Sequence, residues 1–331
     1  MRLETLPLAL YIVMAEVSIG AVSVLVFLDW RNEVKRGFLI SYAFIYLFLA
    51  GMTYLLQQNF STPELLHTFK HLDQSWTGSL SLPLLLFFLL LIPYSLFLVF
   101  DKHAGIQDEV KAEGETVRPP QGRVIRILRL ASGIATVLAG LATLFVTAMI
   151  YRPVVAGNLG GAFTVAGFFA AAFALGGVMT AMWLGHWYLV TPALSEKPLQ
   201  FSTTLVLVAI VAQIAFALIA SPAALFGFDQ AATSTTPATT VVTPTPTTGS
   251  APAGQVKPEG APVVTPLSIG AISWIRILVA FLMPLVLGGL SWKLIRDRSF
   301  QSATGMLYLV VVCALAGEIM ARGLFLGGLI S

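Results

Sequence analysis

The sequence predicts an all-α integral membrane protein of eight transmembrane helices, with both termini on the outer (periplasmic or extracellular) side. Composition is the first reason. Hydrophobic residues are 57% of the 331, charged residues 11%, and mean hydropathy is +0.85. A soluble domain would carry about 25% charged side chains. The second reason is the recurrence of long apolar stretches, and the third is a lopsided distribution of lysine and arginine between alternate loops.

The predicted spans run at about 7–28, 37–57, 79–100, 124–151, 162–190, 201–224, 267–292 and 303–329, each long enough to cross a hydrocarbon core of about 30 Å. The first is too long for a signal peptide and is interrupted by Glu16. Its positive charges follow it instead of preceding it, so it reads as an uncleaved helix. Pro83 and Pro93 in the third span and Pro284 in the seventh predict kinks. Ala131, Gly133, Ala135, Ala139, Gly140 and Ala142 in the fourth span mark close helix packing. So do Gly160, Gly161, Gly167, Gly176, Gly177 and Gly185 in the fifth.

Orientation follows from the basic residues. Arg31, Lys35, Arg36, Lys102, Lys111, Arg118, Arg123, Arg126, Arg129, Lys197, Lys293, Arg296 and Arg298 flank the loops after the odd-numbered spans. The opposite side has only Arg2, Lys70, Arg152 and Lys257. Under the positive-inside rule the first set is cytoplasmic, which places both termini outside the plasma (inner) membrane. The net charge of +3 therefore reflects topology, and nothing in it points to nucleic acid.

Two loops stand out. Residues 229–265, rich in Thr, Pro and Ala, have too few large apolar groups to fold and are expected to be a disordered outer loop. Residues 58–78 contain a helix start (Ser61 or Thr62, then Pro63 and Glu64). Leu65, Leu66, Phe69 and Leu72 follow at helical spacing, which predicts a short amphipathic helix in the outer interface. The single Cys313 lies within the last span, which excludes a disulfide framework and a CxxC metal or iron–sulfur motif.

The chemistry-bearing residues are charges inside the spans. Glu318 and Arg322 sit one turn apart in the last helix, Glu16 near the middle of the first, and Arg276 in the seventh. Each costs about 2.5–3.5 kcal/mol at mid-membrane on insertion scales, so all four are expected to turn inward and meet in the outer half. A packing ion pair is one reading of such a group. The other is a polar wall of a quinone or proton site, in which a carboxylate exchanges protons while an arginine holds its charge. Gln57 and Gln58, ending the second span, are candidates for a quinone carbonyl, with interfacial solvation as the alternative. His67 and His71, four apart, are candidates for a proton-accepting role beside the quinone mouth. A metal would need a third ligand, and none is predicted. His186 lies beside Trp187 and Tyr188 in what reads as an aromatic belt.

The last span, YLVVVCALAGEIMARGLFLGGLI, resembles the final helix of the dimethyl sulfoxide reductase membrane-anchor family. The matching positions are Gly317, Glu318, Arg322, Phe325 and Gly327. Eight spans with outer termini also resemble that family and the polysulfide-reductase-like (NrfD-type) membrane subunits. There are departures: Asn59 stands where such anchors can carry a histidine, and the third span lacks an acid. The resemblance implies a subunit that carries no bound redox group and takes menaquinone or ubiquinone as an exchangeable ligand. It implies as partners an iron–sulfur subunit and a molybdopterin-type or cytochrome subunit.

The expected function is accordingly that of a membrane anchor and quinone-interacting subunit of a respiratory oxidoreductase, with proton movement as a further role. Two alternatives stay open: a secondary transporter, and a structural subunit of a larger respiratory or photosynthetic complex.

Overall fold

The computed structural model describes residues 6–106, 120–155, 158–191, 194–220 and 269–327. The expected disordered loop at 229–265 lies outside them, as do 221–224, 267–268 and 328–329 at the ends of predicted spans. The described residues form helices α1 (Leu6–Arg31), α2 (Arg36–Phe60), α3 (Pro63–Leu66), α4 (Gln74–Thr77) and α5 (Ser81–Phe100). Then come α6 (Pro120–Tyr151), α7 (Asn158–Val190), α8 (Lys197–Ala220), α9 (Ile269–Arg276), α10 (Met283–Arg296) and α11 (Phe300–Gly327). Among the described residues, eight helical stretches are long and apolar enough to span a membrane. All eight coincide with the predicted spans. The protein is therefore a multi-pass helical membrane protein.

The spans run alternately up and down. One end of the bundle holds the start of α1, the end of α11 and the α3–α4 segment; we call it the terminal end. The other holds the basic loops. Helix α1 lies at the centre: 83% of its apolar window is buried, against 28–50% for the other seven spans. It packs on α2, α6, α7 and α11. Lipid-depth helices gain little from apolar burial and associate through close backbone contact. Here α1 and α7 touch backbone to backbone at Gly20 and Gly176, where a Cβ on either would overlap the other helix. The fifth-span glycines thus do what their pattern predicts, with a partner in α1.

The prolines behave in three ways. Pro83 sits in the first turn of α5, where no helical N–H is required, and α5 runs on through Pro93. Pro284, in α10, has no N–H to offer the Ala280 carbonyl. The chain answers with a π-helical segment, Ile277–Leu282, in which the Met283 N–H bonds the Leu278 carbonyl. That wider turn brings the backbone of Ala280 against Gly317 of α11, where any side chain would collide.

The amphipathic helix expected after Thr62 stops after one turn. Thr62 does cap it, accepting from the Leu65 N–H at 3.3 Å. The backbone then tightens to three-residue turns, Thr68 N–H to Leu65 O and Phe69 N–H to Leu66 O, both at 3.1 Å, and the Asp73 N–H leaves for the Ile150 carbonyl of α6 at 3.0 Å. Docking on α6 thus ends the local helix. Leu66 and Leu72 are buried against the bundle.

Replacing Gly176 with Val should lower stability by about 3 kcal/mol or prevent folding, because backbone cannot move aside as a side chain can. Gly305, whose Cβ direction is open, should accept Ala with a gain of up to about 1 kcal/mol. Thermal unfolding in detergent checks both, and equal effects would refute the packing account.

Candidate functional site

Two helices deliver the first charged group. Glu16 occupies the middle of α1, and Glu318 and Arg322 share a face of α11, whose Gly317 permits the close approach of the π-helical segment. Arg322 Nη2 donates to Glu16 Oε1, and Arg322 Nε lies 2.9 Å from Glu318 Oε1. One guanidinium therefore holds two carboxylates. All three residues are buried, Glu16 completely. The guanidinium also lies over the Phe168 ring of α7, 3.9 Å from its centroid, a desolvated cation–π contact.

The polar capacity of this group is not used up. The second carboxylate oxygen of Glu16 is buried and has no hydrogen-bond partner, and the same holds for the hydroxyls of Tyr11 and Tyr151. Tyr11 lies against Thr147 without a well-formed hydrogen bond. Tyr151 lies within electrostatic range of Tyr11 and Arg322, and its ring stacks on Phe168 with centroids 6.1 Å apart. Phe325 closes the aromatic set, 6.3 Å from Tyr151 and 6.4 Å from Phe168. A carboxylate oxygen, two hydroxyls and aromatic faces are thus available together in the terminal half of the bundle. Buried polar groups left unpaired in this way are rare in folded proteins and call for an explanation.

Of the eight residues expected to form the site, three are in direct contact. Arg276 is near: it feels the charges of Glu318 and Arg322, but makes no ion pair within 4.0 Å among the described residues, and its Nε has no partner. Gln57 and Gln58 are engaged elsewhere. Gln57 is buried and donates to Ser61 O at 3.2 Å and Ser81 Oγ at 3.1 Å, tying α2 to α5, and accepts from Gln58 Nε2 at 2.8 Å. His67 and His71 are both exposed, and the break after α3 takes them off a common helix face. His67 Nε2 pairs with Thr77 Oγ1 at 2.9 Å. In the predicted aromatic belt His186 is exposed, but the other two rings turn inward. Trp187 packs edge-on against Phe38, and Tyr188 is buried against Phe300.

A second buried triad lies at the basic end. Arg129 of α6 bridges Asp29 of α1 (3.2 Å) and Asp101 at the end of α5 (3.0 Å), and each of the three is 2% exposed or less. Tyr94 donates its hydroxyl hydrogen to Asp29 Oδ2 at 3.3 Å. Sequence reading had spent Arg129 on the orientation rule. Its signal was nonetheless present: an arginine nine residues inside a helix, matched by an acid before the end of α1. Tyr11, Tyr151 and Phe168 had no such signal, since buried aromatics are ordinary in a membrane bundle.

The fold and these two triads define a multi-pass helical membrane protein with a charged, partly unsatisfied interior. No protein-family model, no curated protein and no solved structure matches the chain.

Removing one member of a buried network leaves the others unpaired at a cost of about 3–5 kcal/mol, so Arg129→Met should destabilise by that amount in detergent unfolding. Arg31, whose pair with Glu33 is largely exposed, should lose less than about 1 kcal/mol as Met. Comparable losses at both positions would contradict the assignment of Arg129 to a buried bridge.

Proposed function

We propose that the chain is the membrane-anchor and quinone-interacting subunit of a respiratory oxidoreductase, exchanging electrons between menaquinone or ubiquinone and a partner iron–sulfur subunit. The observation that carries this reading is the Glu16 carboxylate: one oxygen is held by Arg322, and the other is buried and unpaired in the same half of the bundle as two unpaired tyrosine hydroxyls. The resemblance of Gly317, Glu318, Arg322, Phe325 and Gly327 to the anchor family supports it.

In this reading the free oxygen of Glu16 accepts the hydrogen of a quinol hydroxyl and takes its proton as electrons leave for the iron–sulfur subunit. Arg322 keeps the carboxylate oriented. The hydroxyls of Tyr11 and Tyr151 donate to the ring oxygens, and Phe168 and Phe325 give the ring its apolar walls. Positioned proton acceptors of this kind contribute about 10²–10⁴-fold to rate. The basic end then faces the cytoplasm of a bacterial-type inner membrane and both termini face outward. A molybdopterin-type or cytochrome subunit completes the complex.

A secondary transporter is the second reading, favoured by the π-helical break in the seventh span beside the charged group. Purification from native membranes in mild detergent separates the two. An iron–sulfur subunit in fixed ratio, with extractable quinone, is the expected result; a chain that comes out alone, or only with copies of itself, belongs to the transporter. Within the complex, Glu16→Gln should cut quinol turnover by about a hundredfold or more without loss of assembly. Unchanged turnover in both Glu16→Gln and Glu318→Gln would remove the quinone reading.

A further inference from the structure

The two triads share a helix. Glu16 and Asp29 are thirteen residues apart on α1, about 20 Å of helix rise, and the surface of α6 facing them follows one antiparallel register. Arg129 meets Asp29. A Cβ at Gly133 would touch Val26, one at Gly140 would touch Ile19, and Thr147 lies against Tyr11. From Gly133 to Gly140 seven residues along α6 match seven residues back along α1, and the Arg129 and Thr147 contacts fit that register to within one residue. That register sets Thr136 level with Ser23, and Thr143 level with Glu16. All four are buried.

Each hydroxyl along this seam donates to a carbonyl of its own helix. Ser23 gives to Ile19 O at 2.7 Å, Thr136 to Ser132 O at 2.8 Å, Thr143 to Ala139 O at 2.9 Å, and Thr147 to Thr143 O at 2.8 Å. The donor is spent, but the oxygen retains lone pairs that can accept from water. At each end of the seam two carboxylates share one guanidinium. Either carboxylate can take a proton while the other keeps the arginine paired, which a lone buried ion pair cannot do.

The basic end also reaches the surface. The Nδ1 of His103 lies 4.0 Å from Asp101 Oδ1; the imidazole side chain is 58% exposed and the carboxylate 2%. The His103 backbone N–H bonds the same oxygen at 3.0 Å, which keeps the residue beside it. Imidazole is the side chain suited to passing protons near neutral pH. Among the described residues the Tyr94 hydroxyl and the charge of Arg126 also act on this triad.

We propose that the α1–α6 seam is a proton route from His103, through the Asp101–Arg129–Asp29 triad and the Ser23–Thr136 level, to Glu16, and from there past the shared Arg322 to Glu318, whose side chain is 10% exposed, at the terminal end. A proton leaving the imidazole nitrogen is taken by an Asp101 oxygen when the ring closes the 4.0 Å gap, and moves on to Asp29 alongside Arg129, which stays protonated throughout. Waters between the polar levels carry it over steps of about 10 Å. The route goes beyond the quinone reading and does not need a quinone in the Glu16 site.

The test uses the purified full chain in quinone-free phospholipid vesicles containing a pH-sensitive dye, with a potassium diffusion potential set by valinomycin. The wild type should carry protons faster than protein-free vesicles. The near-isosteric Thr143→Val should fall to the protein-free rate while unfolding at an unchanged temperature, and Asp101→Asn should fall to that rate with the lower unfolding temperature expected of a broken buried bridge. His103→Leu, a surface change that spares the fold if Asp101→Asn does not, should slow the flux and be rescued by imidazole in the medium. Wild-type flux equal to that of empty vesicles overturns the route. So does retention of flux in either Thr143→Val or His103→Leu. Flux from a chain that binds no quinone would sink only the quinone reading; bound quinone without flux would sink only this one.

Discussion

A carboxylate at the depth of Glu16 cannot face hydrocarbon, and that prohibition organises the bundle. With Asp29 on the same helix, α1 has to be walled in along its length, and it is the most enclosed of the spans. Enclosure within lipid has to come from contact, since surrounding a helix with other apolar helices releases little water. The contact is supplied by Gly20 and Gly176, where α1 and α7 meet backbone to backbone, and by Gly133 and Gly140, which admit Val26 and Ile19. Placing the charge and placing the glycines are two sides of one requirement.

The two triads solve the same electrostatic problem with the same stoichiometry, one arginine between two carboxylates. A buried arginine is tolerable when its planar fork is shared in this way, and neither group needs water to stay paired. They differ in what is left over. The Asp29 group leaves the Arg129 Nε without a hydrogen-bond partner, while Tyr94 donates to Asp29 and His103 lies beside Asp101. The Glu16 group retains an unpaired carboxylate oxygen, with two unpaired tyrosine hydroxyls in the same half of the bundle. The first is a bridge that ties α1, α5 and α6 and opens toward solvent. The second is a bridge with a vacancy in its hydrogen bonding, and ligand chemistry is concentrated there. Pro284 contributes from a distance: by forcing the π-helical turn it seats Ala280 against Gly317 and brings Arg276 within electrostatic range of Glu318.

Some of this was legible along the chain and some was not, for reasons that differ by residue. The spans were legible because their signal is local: about twenty apolar residues in a row have few other folds open to them. The Glu318–Arg322 pair was legible because four residues is one helical turn. Glu16 could be expected to join it on cost alone. Arg276 was expected to join as well, yet its distance depends on a π-helical turn set by a proline eight residues on. Gln57 and His67 are polar and well placed in sequence, but Ser61, Ser81, Gln58 and Thr77 take their hydrogen bonds, and His71 is exposed. The one-turn length of α3 was equally hidden, since the Asp73 N–H goes to the Ile150 carbonyl of α6, a partner far away in sequence.

The sequence by itself determined the all-helical membrane class, the eight spans and the identity of the charges that had to be buried, because hydropathy and insertion cost act residue by residue. Tertiary structure alone decided which charges meet. Arg129 reaches Asp29 across a hundred residues of chain and Arg322 reaches Glu16 across 306. Those partners are chosen by the register of α1 against α6, α7 and α11. Glycine contacts set that register, and their significance appears only when two helices lie side by side.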